Sequence, residues 1–157
     1  MEQQIQYAGE FSIKELKIHT SSGRVFDFTN GDNVIGFEIY EDLFSTSLSG
    51  NLILLDVNNI SENGPIIGQE FLTLKFGTPS LSEFDVSFTF NIHKILSKLD
   101  VSKNAQALTL SFITPEIIRN NRVRVSKSYT DTISNIIKDI LKDPRYINTK
   151  KKLYIQE

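Results

Sequence analysis

Hydrophobic and polar side chains alternate along several stretches of this chain, most clearly between residues 84 and 92. Every second position there is Phe, Val or Ile, and the positions between them are Asp85, Ser87, Thr89 and Asn91. A period of two places the two sets on opposite faces of a β-strand. The pattern therefore predicts a long strand with one apolar face and one polar face.

The stretch from Val34 to Val57 predicts two further strands joined by a polar turn, and we expect the rest of the fold to cover them. In the first run Ile35, Phe37 and Ile39 alternate with Gly, Glu and Tyr, so this strand should bury one face. In the second run residues 52–55 are Leu, Ile, Leu and Leu. An uninterrupted apolar run predicts a strand that is covered on both faces.

Shorter alternating runs occur at residues 11–19, 25–28, 71–76 and 108–112. The first run changes phase near Lys14 and Glu15, as at a β-bulge. Clusters of Gly, Asn, Asp and Ser separate the runs and predict turns, with at most one helical turn between residues 58 and 68. Six to eight strands in this arrangement predict a mainly β fold, either an antiparallel β-barrel or a β-sandwich.

One amphipathic helix is predicted at residues 130–142, after a sequence at 128–131 that resembles a capping box. Five large aliphatic residues recur there at spacings of three and four and form one apolar stripe: Ile133, Ile136, Ile137, Ile140 and Leu141. Asp143 and Pro144 predict its end. We expect the stripe to pack on the outer face of residues 52–55.

These elements suggest three parts. Residues 1–127 are assigned to the β-barrel domain, and residues 128–145 to the packed helix and its connector. Residues 146–157 end in a strand-like tail, Lys150–Glu157. We expect this tail to begin a second barrel or to pair with another subunit.

Composition excludes several classes of function. The chain has 157 residues, a formal net charge of -2 and no cysteine. This length suits one domain with a real core. The small net charge gives no overall attraction to nucleic acid or to anionic membranes, and the missing thiols exclude disulfides and thiolate catalysis. No stretch approaches the roughly 20 apolar residues of a membrane span, so we expect no membrane insertion.

Candidate catalytic and ligand residues are few. His19 and His93 have no second ligand at metal-binding spacing, so we interpret them as surface histidines. Glu38, Glu41 and Asp42 form an acidic cluster that fits a solvated turn or a subunit contact better than a cation site. The sequence has no nucleophile elbow and no phosphate-binding loop. It therefore predicts no enzyme, no metal and no cofactor.

Basic residues concentrate between positions 119 and 127. Arg122 and Arg124 would share one face if this segment were a strand. Nucleic-acid surfaces interleave aromatic residues with such charges, and only Tyr129 is near. We therefore interpret Arg122 and Arg124 as a solvated face or a salt-bridged subunit interface, without specific nucleic-acid binding.

Three segments carry a resemblance to a known family. They are Asn-Gly-Asp at 30–32, Phe-Glu-Ile-Tyr-Glu-Asp-Leu-Phe at 37–44 and Leu-Ser-Gly-Asn-Leu-Ile-Leu-Leu-Asp at 48–56. Together with the order of the later strands and Ser126-Lys-Ser-Tyr129 before the helix, they resemble the amino-terminal part of baseplate hub proteins of contractile-tailed bacteriophages. Related hubs occur in type VI secretion spikes.

The resemblance implies a virion structural protein, made in the cytoplasm of the bacterial host and built into the tail baseplate. Such a hub is a homotrimeric ring of tube-type β-barrels that joins the tail tube to the central spike, with baseplate wedge proteins beside it. This chain would supply the first barrel and, from about Lys150, the entry to the second. The polar set Asp85, Ser87, Thr89 and Asn91 would then face the lumen or a neighbouring subunit.

Two other classes of function stay open. A β-sandwich module that binds carbohydrate or protein would need an exposed row of aromatic residues on one strand face. An enzyme would need a partner group beside the carboxylates of Glu38, Glu41 and Asp42, and the sequence places none there.

Overall fold

The computed structural model describes residues 10–45, 47–57, 60–64, 66–79, 81, 83, 85–102 and 105–155. Within these ranges the chain forms seven strands and three helices. It divides into two compact units, Met1–Ile113 and Thr114–Glu157. We call them the strand unit and the helical unit, because the first holds every described strand and the second holds the two longer helices.

The strands are β1 (Ser12–His19), β2 (Val25–Asp27), β3 (Val34–Tyr40), β4 (Ser49–Asp56), β5 (Phe71–Gly77), β6 (Val86–Ser102) and β7 (Ala105–Ile113). The helices are α1 (Ile60–Asn63), α2 (Pro115–Arg122) and α3 (Ile133–Lys142). The strands form one sheet in the order β2-β1-β5-β6-β7-β4-β3, and every neighbouring pair is antiparallel. The sheet curls into a half-barrel, which confirms the predicted mainly β, barrel-like fold.

The core of the strand unit is the concave face of this sheet. Its side chains are at most 1% exposed at eleven strand positions: Leu16, Ile18, Leu52, Leu54, Leu72, Leu74, Phe90, Ile92, Leu108, Leu110 and Phe112. Burial of each such side chain contributes roughly 1.5 to 3 kcal/mol before entropy is subtracted. The predicted alternation therefore identified the buried faces of four strands, β1, β5, β6 and β7.

Register irregularities explain where the alternation shifts. The pairing of β1 with β5 slips between Ile13 and Glu15, which confirms the predicted bulge. The pairing of β3 with β4 slips between Val34 and Gly36, and Ile35 is 60% exposed. The prediction that Ile35 shares the buried face of Phe37 was wrong, because the extra residue of a bulge leaves the pleat.

Strand β6 is long enough to serve two partners. It pairs with β5 from Val86 to Asn91, and with β7 from Asn91 to Ser102. In β4 the predicted apolar run is fully buried on one side, whereas Ile53 and Leu55 are half-buried on the other. Cover of that outer side by the predicted helix stays a prediction.

The helical unit differs from the prediction at both helices. Helix α3 begins at Ile133, and its N-cap is Thr132, whose Oγ1 accepts a hydrogen bond from the backbone N–H of Asn135 at 3.4 Å. The cap predicted at Ser128 was therefore wrong. No residue of α3 is fully buried, and Ile133 at the start of the predicted stripe is 76% exposed.

Helix α2 was not predicted. It starts at Pro115, a residue favoured at the first helical position because its fixed φ suits the helix and its missing N–H has no partner there. Glu116 in its first turn accepts a hydrogen bond from Thr149 Oγ1 at 2.7 Å. The Glu116 carboxylate also forms an ion pair with Lys151 Nζ at 3.3 Å. These contacts tie the end of the chain to α2, and residues 150–155 form no strand. The start of a second barrel there stays a prediction.

Candidate functional site

Acidic and apolar side chains share one end of the β3 edge. Glu38 and Tyr40 are exposed, and the Tyr40 hydroxyl donates a hydrogen bond to Glu38 Oε2. This bond to a carboxylate raises the pKa of Tyr40, because loss of the phenolic proton would bring two negative charges together. Asn51 Nδ2 on the adjacent strand β4 donates a hydrogen bond to the same hydroxyl at 3.1 Å, which helps to position the Tyr40 side chain.

The turn after β3 presents two large apolar residues to solvent. The backbone N–H of Phe44 donates to Asp42 Oδ1 at 2.9 Å, and the N–H of Ser45 donates to the Asp42 carbonyl at 3.0 Å. Held by this turn, Leu43 is 92% exposed and Phe44 is 94% exposed. We call residues 34–45 the acidic edge. The structure thus brings the predicted residues Glu38, Glu41 and Asp42 together with two apolar residues that sequence reasoning did not single out.

A second free edge belongs to β6. Beyond Ile92, whose N–H donates to the Glu70 carbonyl at 2.9 Å, no described strand pairs with β6 on the β5 side. We call residues 93–101 the β6 arm. Leu96, Leu99 and Val101 there are 45%, 63% and 61% exposed. An exposed edge of this kind is a surface on which another chain can dock.

The polar face predicted for β6 extends across two more strands. Ser87 lies beside Lys75 of β5, and Lys75 lies beside Glu15 of β1. In the next row of this face, Thr89 lies beside Thr73 of β5, and Thr73 lies beside Lys17 of β1. The predicted set is only partly open: Ser87 and Thr89 are exposed, whereas Asp85 and Asn91 are half-buried.

Charges on this face are paired with one another. Lys75 Nζ lies 3.3 Å from Asp85 Oδ2, and Lys17 Nζ lies 3.0 Å from Glu15 Oε1 and 3.9 Å from Asp27 Oδ2. The hydrogen bond to Glu15 raises the pKa of Lys17. An open cleft of about 650 Å³ lies among these groups, lined by Lys14, Glu15, Lys17, Asp27, Thr29, Asn30 and Lys75. The alternating signs give the cleft no strong attraction for an anion or a cation.

The structure places Arg122 and Arg124 differently from the prediction. Arg122 is the last residue of α2, and Arg124 follows the C-cap Val123 in a segment without strand pairing. The prediction that the two arginines share one face of a strand was therefore wrong. Both side chains are exposed, and neither has an ion-pair partner among the described residues. Lys127, by contrast, pairs with Asp139 at 3.3 Å.

The histidines contribute no metal site. His19 is half-buried and stacks on Phe71, with ring centroids 4.5 Å apart, and its Nε2 lies 3.2 Å from Thr73 Oγ1. His93 is exposed. In the part of the chain that the structure describes, no three His, Asp or Glu residues come together as metal ligands.

Among the described residues, exposed aromatic rings do not line up on one strand face. Of the larger exposures, Tyr40 lies on β3 and Phe71 on β5, whereas Phe11, Phe44 and Tyr154 lie outside the strands and helices. None of the helices within the described ranges is long and apolar enough to cross a membrane. The chain matches no protein-family model and no curated protein sequence.

Proposed function

We propose that this chain is a structural component of a phage tail baseplate hub, a ring-forming adaptor that joins the tail tube to the central spike. The observation that carries the proposal is the curled antiparallel sheet with a free edge at β3 and a second at the β6 arm. A chain with two such edges can bind a neighbour on each side, as a ring requires.

The sequence resemblance supports the same role. One of its segments, residues 37–44, forms the second half of β3 and the turn that exposes Leu43 and Phe44. The next segment, residues 48–56, forms β4. The family resemblance therefore falls on the edge of the sheet and on the strand that supports it.

In this role the chain acts through contacts and not through chemistry. We propose homotrimeric assembly in the virion tail baseplate, with tail tube, spike and wedge proteins as neighbours. The charge-paired face of β1, β5 and β6 would offer passing DNA no continuous cationic track, because its lysines lie beside carboxylates.

Light scattering of the purified chain, followed by negative-stain imaging, tests the proposal. We expect a mass that is a multiple of 17.9 kDa and rings with a central hole. We also expect only weak binding of duplex DNA at physiological salt. A monomer at every concentration with no ring, or tight binding of duplex DNA, would overturn the proposal.

A further inference from the structure

Two surfaces of the strand unit are apolar, exposed and opposite in charge. The acidic edge carries Glu38, Glu41 and Asp42 and no basic residue. The β6 arm carries Lys94 and Lys98. Both surfaces lie on free strand edges of the same sheet, so both are open to a neighbouring molecule.

The arm carries a net positive charge, because its two lysines outnumber its one carboxylate. Its single carboxylate, Asp100, accepts a hydrogen bond from Gln106 Nε2 at 2.9 Å on the adjacent strand. Lys94 and Lys98 are exposed and have no ion-pair partner within the described ranges. Lys94 pairs with Ser111 and Lys98 pairs with Leu108, so the two cations project from opposite faces of the arm, on either side of its free edge. The acidic edge presents three carboxylates.

Each of the two surfaces also exposes large apolar side chains that a neighbouring molecule could bury. Leu43 and Phe44 protrude from the acidic edge almost fully exposed. Leu96, Leu99 and Val101 lie on the arm at about half exposure. Exposed clusters of large apolar residues with a charged rim are typical of protein interfaces, because burial of the apolar part drives association and the charges select the partner.

We infer that the acidic edge of one copy docks on the β6 arm of a second copy, with Leu43 and Phe44 against Leu96, Leu99 and Val101. The carboxylates of the acidic edge then face Lys94 and Lys98. This inference rests on the proposed function, since it names the contact by which the hub would assemble.

The contact is heterologous and not two-fold. Pairing of two acidic edges would bring six carboxylates together without a cation, and pairing of two arms would bring four lysines together with only two carboxylates. Docking of an acidic edge on a β6 arm avoids the like-charge repulsion of both symmetric pairings. A heterologous contact leaves one free surface of each type on every dimer, so it repeats until a ring closes or a filament grows.

Side chains, and not a continuous sheet, make this contact. The register of β6 against β7 slips between Ile92 and Lys94, between Ile95 and Ser97, and between Asp100 and Ser102. Bulges and lysines on an edge hinder regular strand addition. Packing of Leu43 and Phe44 against the arm needs no ladder of backbone hydrogen bonds.

Cysteine cross-linking tests the inference directly, because the chain has no cysteine of its own. Phe44→Cys and Leu99→Cys chains are prepared separately, mixed and oxidised. We expect the mixture to give a cross-linked dimer in several-fold higher yield than either chain alone. A mixture of Val25→Cys with Leu99→Cys is the matched control, since Val25 is 52% exposed but lies on β2, at the other end of the sheet.

Charge reversal gives a second, independent readout. Glu41→Lys and Lys98→Glu should each weaken self-association by about tenfold or more, and a mixture of the two variants should restore it in part, because each variant then offers the other a complementary surface. Selective cross-linking between positions 44 and 99, with rescue in the charge-reversed mixture, supports the contact.

Failure of this contact is distinguishable from failure of the proposed function. If the wild-type chain forms rings but the 44–99 mixture cross-links no better than the control, the contact is wrong and the hub role stands. If the 44–99 pair cross-links selectively but only open chains form, the contact stands and the hub role fails. A monomer without selective cross-linking overturns both.

Discussion

The aromatic rings of Phe37 and Phe76 lie with their centroids 5.4 Å apart, although three strands separate their own strands in the sheet. Phe37 belongs to β3 at one edge, and Phe76 belongs to β5. Phe11 packs edge-on against Phe37 at a centroid distance of 5.6 Å. Only a strongly curled sheet brings these side chains together, so the cluster holds the half-barrel in its curvature.

Replacement of Phe37 by Ala should therefore loosen the curl. Phe37 is half-buried, so we expect a loss of about 2 kcal/mol in the free energy of unfolding, below the range for a fully buried Phe. Denaturant titration measures it. Ile35→Ala on the same strand is the control, because Ile35 is 60% exposed and its truncation should change stability by less than about 0.5 kcal/mol. Equal effects of the two variants would contradict a role for the aromatic cluster.

Glu70 is fully buried and binds the turn that precedes β5. Its carboxylate accepts backbone N–H groups of three residues, Ile67 at 3.0 Å, Gly68 at 2.8 Å and Gln69 at 3.1 Å. Glu70→Gln replaces one acceptor oxygen with a donor that faces these N–H groups. We expect a loss of about 2 kcal/mol in the free energy of unfolding, measured by thermal or denaturant unfolding.

The control for the Glu70 variant is Glu83→Gln, since Glu83 is exposed. It should be neutral within about 0.5 kcal/mol. A neutral Glu70→Gln variant would mean that the turn has other means of satisfying its N–H groups.

Gly50 is required by a close approach of two strands. A Cβ at Gly50 would lie 2.1 Å from the Glu38 carbonyl oxygen and 2.5 Å from the Phe112 ring. Gly50→Ala should cost at least about 2 kcal/mol, because β3 or Phe112 must move. Gly36→Ala is the matched control: Gly36 lies on β3 with no atom within 4 Å of its Cβ position, so its replacement should be nearly neutral. Similar unfolding midpoints for both variants would refute the steric argument.

The pair Asp143–Arg145 predicts a dependence on pH. Hydrogen bonds from the Arg145 side chain and backbone lower the pKa of Asp143 to about 2. A carboxyl whose folded pKa is depressed stabilises the fold above its unfolded pKa, and this stabilisation is lost as the pH falls through the folded value. The contribution of Asp143 should therefore be complete above about pH 4 and disappear toward pH 2.

Carboxyl titration by NMR measures this effect at Asp143. In Arg145→Ala the pKa of Asp143 should rise toward its ordinary value, whereas Arg124→Ala should leave it unchanged, since Arg124 makes no contact with Asp143 among the described residues. An unchanged titration in Arg145→Ala would remove Arg145 as the cause.

Much of the strand unit was predictable because the period of hydrophobicity is a local property. Alternation located the buried faces of β1, β5, β6 and β7, an uninterrupted apolar run located β4, and the phase change near Lys14 identified a real bulge. The acidic cluster at Glu38, Glu41 and Asp42 was also identified, since it needed only a count of charges. The exposure of Leu43 and Phe44 beside it was missed, because exposure depends on what the rest of the chain leaves uncovered.

Helix α2 shows where local signals compete. Residues 115–122 contain two adjacent β-branched residues, which favour a strand, but Pro115 favours the start of a helix. The contacts of Glu116 with Thr149 and of Arg119 with the carbonyl of Ile147, at 3.3 Å, come from residues far along the chain. No window of sequence contains both partners.

By itself the sequence determined that this is a mainly β chain, where most of its strands lie, and which side of most strands is apolar. It missed the far end of β6, which continues to Ser102 beyond the alternation that ends at Ile92. The tertiary structure decided the order of the strands, the curl that joins Phe37 to Phe76, and which strand edges, β3 and the β6 arm among them, have no partner within the described residues. The physical reason is that the period of a strand specifies which face it buries but not which neighbour it pairs with. Pairing is chosen by long-range packing of the whole core.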